Sequence, residues 1–195
     1  PRLPEIKDMY DLSNAPYGFA LVAFPIGGVV AGPLPAPILR RFGTARVAVV
    51  GSILLATAVF VAGSVPLVAV FWIGLFVAGM LDALVDTAQN AQGLRVQRLA
   101  GTSIINSMHA LWSVGAVIGG LMGTAAAAMN LPLPWHFLIS GVIFAAVAAF
   151  AMRWAVPDDH AEHAATQAEN APLDTAGMPK LPRSAGVAAL ALLPI

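Results

Sequence analysis

Three long stretches without any Asp, Glu, Lys or Arg constrain this chain more than any other feature. They cover residues 12–39, 47–81 and 99–152 and are 28, 35 and 54 residues long. A helix that crosses the ~30 Å hydrocarbon core of a bilayer needs roughly 20 consecutive apolar residues. The three stretches therefore predict one, two and two membrane-spanning helices.

Turn signals divide the two longer stretches. Gly63-Ser64-Val65-Pro66 interrupts the second stretch, and the sequence Asn-Leu-Pro-Leu-Pro at 130–134 interrupts the third. Proline is disfavoured inside a helix because it lacks a backbone N–H. We therefore predict an all-α, polytopic membrane bundle over residues 1–155, with five full helices at about 17–39, 47–63, 67–94, 103–128 and 135–155.

The residues after this bundle have a different composition. Residues 156–182 mix acidic residues with Ala, Thr and Gln, which cannot bury a core and predict a flexible cytoplasmic linker. The run of Asp, His and Glu at 158–163 is interpreted as a solvated acidic loop, not as a metal site. Residues 183–195 predict the start of a sixth membrane helix. The short last run and the absence of an initiator Met predict a piece of a longer protein.

The composition excludes several function classes. The chain is 58% hydrophobic and 10% charged, whereas soluble domains are ~25% charged. Ten basic residues balance ten acidic ones, so a basic face for nucleic acid is not expected. Without cysteine, disulfides and thiolate metal sites are excluded. We expect the lipid bilayer as a partner, and no metal or cofactor.

Arginines in the short connections predict the orientation of the helices. They follow the first and third predicted spans, at Arg40, Arg41, Arg46, Arg95 and Arg98. The turns at 64–66 and 129–134 contain no Lys or Arg. Because basic loops stay on the cytoplasmic side, we expect these two turns on the outer side of a bacterial inner (plasma) membrane.

The third predicted span carries a polar stripe. Gly79, Asp82, Asp86, Gln89, Asn90 and Gly93 fall within an arc of roughly 100° on a helix with 3.6 residues per turn. Ionisable groups within a membrane span are costly and usually face a protein interior or a water-filled path. The stripe favours such a path, and hydrogen bonding to neighbouring helices is the structural alternative.

The fourth predicted span has a polar face and a glycine face. Thr102, Asn106, His109 and Ser113 share one side, and Gly115, Gly119 and Gly123 line another. Small residues at this spacing, like Gly28 and Gly32 in the first span, predict close packing against a neighbouring helix. Taken by itself, His109 is more typical of a structural histidine than of a proton carrier.

An antiparallel hairpin of these two spans, with its turn near residues 95–101, brings the polar faces together. Residues whose numbers sum to about 195 then lie at equal depth. This register pairs Asp82 with Ser113, Asp86 with His109 and Asn90 with Asn106. A carboxylate next to an imidazole in a low-dielectric cavity can exchange protons near neutral pH.

The short-looped helices, the arginine-rich turns and the polar linker resemble the major facilitator superfamily. The turn with Gly32, Arg40, Arg41, Gly43 and Arg46 is similar to the loop signature between that family's second and third helices. The family's aspartate is replaced by Arg40. The resemblance implies the N-terminal half of the fold, from helix two to the start of helix seven, with the C-terminal half of the protein as a partner.

The segments 86–93 and 104–115 are similar to a fucose-permease-like branch and to uncharacterised bacterial inner-membrane proteins. In that branch an acidic residue four positions before an Asn is tied to proton coupling, and this position is Asp86. Relatives often carry Glu before the loop arginine, where this chain has Gln97. The glycines of the fourth span resemble an antiporter signature without its proline.

These observations lead to one main hypothesis and two alternatives. The main hypothesis is a proton-coupled secondary transporter of a sugar-like or other small polar solute, with no catalytic residues. Its cavity residues are Asp86, Asp82, Asn90, Gln89, Asn106, His109 and Ser113. Proton-driven efflux of drugs or metabolites is one alternative. A membrane-embedded enzyme or assembly factor is the other, although no nucleophile, metal or phosphate-loop motif supports an enzyme.

Overall fold

The computed structural model describes residues 2–157, and all regular structure within them is helical. The helices are α1 (Leu3–Met9), α2 (Asn14–Ala31), α3 (Pro35–Phe42), α4 (Thr44–Ser64), α5 (Val68–Ala100), α6 (Ile105–Ala128) and α7 (Leu133–Ala151), which continues as a 3₁₀ turn (Met152–Trp154). Five of these segments are long and apolar enough to span a membrane, namely α2, α4, α5, α6 and α7 with its 3₁₀ turn. The predicted helical membrane bundle is confirmed. The predicted linker, its acidic run and the start of a sixth helix lie outside the described residues.

The first predicted span, 17–39, is two helices in the structure. Helix α2 ends at Ala31, and α3 begins at Pro35. Between them lies Gly32-Pro33-Leu34, and prolines at 33 and 35 cannot donate backbone hydrogen bonds to continue α2. The short helix α3 buries Pro35 and Leu39 and leaves its arginines exposed.

The third predicted span, 67–94, continues further than expected. Helix α5 runs to Ala100 and ends at Gly101, which has a left-handed backbone with φ of 66°. Arg95 and Arg98 therefore belong to the helix and not to the turn after it, and Arg95 is buried. The turn between α5 and α6 moves accordingly to residues 101–104.

Glycines let α2 and α5 cross with their backbones in contact. A Cβ atom added at Gly27 would collide with the carbonyl oxygen of Phe76, and one added at Gly79 would collide with that of Phe24. Gly28 lies in the same crossing, where an added Cβ would be 3.7 Å from the Gly79 oxygen. The predicted packing role of Gly28 fits this geometry.

Helix α4 packs on α5 on one side and on α7 on the other. Gly51 of α4 faces Val85 of α5, and Gly63 of α4 faces the ring of Phe137 of α7. Small residues thus again mark the helix contacts, as expected where packing rather than the hydrophobic effect joins apolar helices.

The first helix, α1, joins the two arginine-free turns. The Tyr10 hydroxyl donates to the carbonyl oxygens of Ala62 (3.1 Å) and Val65 (2.6 Å). The Arg2 guanidinium donates to the carbonyl oxygen of Leu131 (2.6 Å). Both turns therefore lie at the same end of the bundle, which the predicted orientation requires.

Candidate functional site

A cavity of about 390 Å³ lies between α5 and α6. It brings together four residues of the predicted stripe on α5 and the histidine of α6. Its lining residues are Asp82, Val85, Asp86, Gln89, Asn90, Met108, His109 and Trp112. The cavity thus contains two carboxylates, two amides, one imidazole and one indole.

The predicted stripe on α5 divides into two parts. Gly79 and Gly93 are buried against other helices, Gly79 against α2 and Gly93 against α6. Asp82 and Asp86 are exposed within the described part of the chain, although both line the cavity. The carboxylates therefore do not point into the packed interface with α2 and α4, because the small residues of α5 occupy it.

The register of α5 and α6 differs from the predicted one. A Cβ added at Gly93 would meet Met108 Sδ at 2.5 Å and Ile105 Cδ1 at 3.4 Å, whereas the predicted register sets Gly93 level with residue 102. The reason is the longer α5, which moves the turn toward residues 101–104. His109 consequently lies near the level of Gln89, and Trp112 lies near the level of Asp86, about one turn further along.

The shifted register changes the partners of the predicted polar residues of α6. Asn106 and Ser113 are exposed and are not among the residues that line the cavity. The Ser113 hydroxyl donates to the His109 carbonyl oxygen of its own helix (3.0 Å). Nδ1 of His109 lies 3.0 Å from the Ile105 carbonyl oxygen, which leaves Nε2 for an outside partner.

Sequence reasoning missed Met108 and Trp112. With Ile105 they form an i, i+3, i+7 apolar row, the spacing of one helix face. Met108 contacts Gly93 of α5, and Trp112 lines the cavity one turn further on. This row identifies the face of α6 that turns toward α5, and it was readable from the sequence.

The glycine face of α6 behaves differently at its two ends. A Cβ added at Gly115 or Gly119 would have no atom of the described chain within 4 Å, whereas Gly123 is buried. The close packing predicted for Gly115 and Gly119 is thus not made within residues 2–157.

The loop-signature residues surround the α3–α4 junction. Gly43 has φ of 84°, a backbone region that favours glycine, and it ends α3 and begins α4. Gly32 lies at the end of α2. The side chains of Arg40, Arg41 and Arg46 are exposed.

Thr44, directly after Gly43, anchors a buried polar cluster that sequence reasoning missed. Its hydroxyl accepts from Nε2 of Gln92 (2.6 Å) and from Nη1 of Arg95 (3.4 Å). Thr44 and Arg95 are only 2% and 6% exposed. The cluster fixes the end of α5 to the start of α4.

In the described part of the chain, residues 2–157, no group of three or more His, Asp or Glu side chains could hold a metal ion.

Comparison with known proteins gives the same family as the sequence motifs. The model of the Major Facilitator Superfamily matches residues 1–194. An uncharacterized transporter of Sinorhizobium fredii is 29% identical over 141 residues, which is 72% of this chain. An uncharacterized MFS-type transporter of Yersinia pestis is 32% identical over 61% of the chain. Multidrug resistance protein 2 of Bacillus subtilis is 23% identical over 75% of it.

The matched regions are parts of longer proteins. This chain covers 37%, 31% and 37% of the lengths of these three relatives. No solved structure matches the chain.

Proposed function

The chain belongs to the Major Facilitator Superfamily, and on that premise we propose that it forms part of a proton-coupled secondary transporter of a small polar solute. The observation that supports this proposal is the cavity between α5 and α6, which combines Asp82, Asp86 and His109 within a membrane-spanning bundle. The family consists of transporters, which disfavours the hypothesis of a membrane-embedded enzyme.

The residues of the cavity suit both a proton and a hydroxylated solute. Carboxylate and imidazole groups can bind and release protons, and ionisable groups in membrane spans commonly mark proton or substrate paths. Gln89 and Asn90 supply amide donors and acceptors next to them. The indole of Trp112, 74% exposed, offers an apolar face on which the C–H side of a sugar-like ring can lie.

Coupling of proton and solute transport requires that both bind more tightly to the same state of the cavity. A ligand shifts a conformational equilibrium only through different affinities for the two states. A protonated Asp86 can donate a hydrogen bond to a solute hydroxyl, whereas the ionised form only accepts. Solute binding to the protonated cavity would therefore couple the two fluxes as the two bundles alternate access to the site.

Export is a second candidate, favoured by one specific observation. The chain is similar to a Bacillus subtilis protein that is named Multidrug resistance protein 2. In that case protons entering through the same carboxylates would drive a drug or metabolite outward. The two candidates use the same cavity. They differ in the direction of transport and in the polarity of the transported molecule.

Solute-linked proton flux tests the proposal. Cells that have expressed the full-length protein are deenergised. A panel of sugars and polyols is then added, and the external pH is recorded. Proton-coupled uptake predicts alkalinisation with at least one solute, and the variant Asp8→Asn, which changes a carboxylate outside the cavity, should respond alike. Proton-linked extrusion of a lipophilic dye would instead support export, and no linked flux with either panel would overturn both candidates.

A further inference from the structure

One residue, Gln97, contacts both the end of α5 and the start of α6. Its backbone carbonyl accepts from the N–H of Gly101 (3.0 Å), the residue that ends α5. Its side-chain Oε1 accepts from the N–H groups of Ile104 (3.0 Å) and Ile105 (3.3 Å), where α6 begins. Gln97 therefore closes the 101–104 turn from both sides.

This contact replaces the usual cap of a helix. The first N–H groups of a helix have no partner within it, and a side chain of the N-cap residue normally accepts one of them. Here the N-cap is Ile104, which has no side-chain acceptor. Thr102 and Ser103 precede it, but the cap comes from the preceding helix across the turn.

The position of this cap matters because the observed close contacts of α6 with α5 lie at the same end. Ile105 and Met108 pack on Gly93, whereas Gly115, Gly119 and Gly120 have no atom of the described chain within 4 Å of an added Cβ. The position of His109 and Trp112 along the helix axis, relative to Asp86, is thus set where α6 begins. A start of α6 that slips along α5 would carry both side chains with it.

We propose that Gln97 is a positioning residue, whose side-chain carbonyl sets the register of α6 on α5 and so places His109 and Trp112 at the cavity. The inference deepens the proposed function, since its transport readout rests on that function, whereas its structural readout does not. Gln97 touches none of the cavity residues by hydrogen bonding in the described contacts; it acts through the helix start.

The structural test uses distances between spin labels in the full-length protein. Residues 1–195 contain no cysteine, so once any cysteine elsewhere in the full-length protein is replaced, Leu94→Cys on α5 and Leu111→Cys on α6 create one labelled pair at exposed positions. We expect one narrow distance peak with Gln97. Gln97→Met, which keeps the length but removes the acceptor, should lose that peak, and Gln97→Glu, which still accepts both bonds, should restore it. Leu99→Met, at an exposed position in the same last turn, is the matched control and should keep the peak.

Transport gives the second readout. Solute uptake by Gln97→Met should fall about fivefold, the factor that corresponds to a helix cap of ~1 kcal/mol, while Gln97→Glu and Leu99→Met stay near the original rate. An unchanged distance peak in Gln97→Met overturns the positioning role, whatever transport does. If Gln97→Met loses the peak but the original protein shows no transport with any solute, the positioning role is supported and the proposed function is contradicted. The distance measurement therefore tests the positioning role independently of the proposed function. Equal loss of the peak in Gln97→Glu and Gln97→Met would also overturn the role, because the acceptor would then be irrelevant.

Discussion

Asp86 of α5 and His109 of α6 line the same cavity, but about one turn of helix separates their levels. The contact of Met108 with Gly93 shows this offset, in which Trp112 is closer to the level of Asp86 than His109 is. In the proposed transporter, the two side chains would therefore contact different parts of one solute, instead of only each other.

The crossing of α2 and α5 predicts a strong effect of one methyl group. Gly27→Ala would place a Cβ against the Phe76 carbonyl, a backbone atom that cannot move without shifting α5. We expect a loss of stability of about 1–3 kcal/mol or more, the usual cost of overpacking. Unfolding in detergent measures it. Gly18→Ala in the same helix has no atom of residues 2–157 within 4 Å of the new Cβ and is the control. Equal stability of the two variants would contradict the close crossing.

The Tyr10 hydroxyl predicts a pH dependence at the end of the bundle where α1 lies. Burial raises the pKa of Tyr10 above its usual value of 10.0, so the folded state favours the neutral phenol. This stabilisation is complete below the pKa of the unfolded chain and is lost as the pH rises through the higher pKa of the folded one. Tyr10→Phe, which removes the bonds to Ala62 and Val65, should lower stability by ~1 kcal/mol at neutral pH.

Unfolding followed from about pH 8 to pH 11 measures this effect. The difference between the original protein and Tyr10→Phe should shrink toward the alkaline end. Tyr17→Phe serves as the control, because Tyr17 contacts Lys7 by its ring face and not through these carbonyls. A difference that stays constant with pH would contradict the role assigned to the hydroxyl.

The arginine placement predicts which ends of the helices face outward. Leu67 and Met129, 59% and 80% exposed, flank the two turns that α1 joins, and Leu99, 72% exposed, lies at the other end of α5. Single cysteines at positions 67 and 129 should react with an impermeant maleimide added to intact cells, and one at position 99 should react only after permeabilisation. Labelling of 67 and 99 from the same side would disprove the topology.

The sequence predicts the number and kind of helices well because hydrocarbon demands long uncharged segments, and composition alone records them. The helix ends are less predictable. Arg95 looked like a loop residue, yet it is buried in α5, where its guanidinium donates to the Thr44 hydroxyl. Its inclusion in α5 moved the turn, and with it the register.

The sequence indicates which residues line the cavity better than it indicates how they are arranged. Four residues of the α5 stripe and His109 of α6 line the cavity, and their role in transport stays a prediction. Ser113 and Asn106 were placed by a register that assumed a turn near 95–101. The contact between Gly93 and Met108, which shows the observed register, depends on side-chain shape across two helices, and a pattern of polar residues does not contain it.

The most direct test of the proposed mechanism is the variant Asp86→Asn in the full-length protein, assayed for both accumulation and counterflow of the same solute. Asn keeps the shape and much of the hydrogen bonding of a protonated Asp, but it cannot release a proton. In Asp86→Asn, accumulation against a gradient should be abolished while counterflow stays largely intact. Asp82→Asn should have a smaller effect. If Asp86→Asn accumulates solute normally, or if accumulation and counterflow fall together, Asp86 is not the coupling carboxylate.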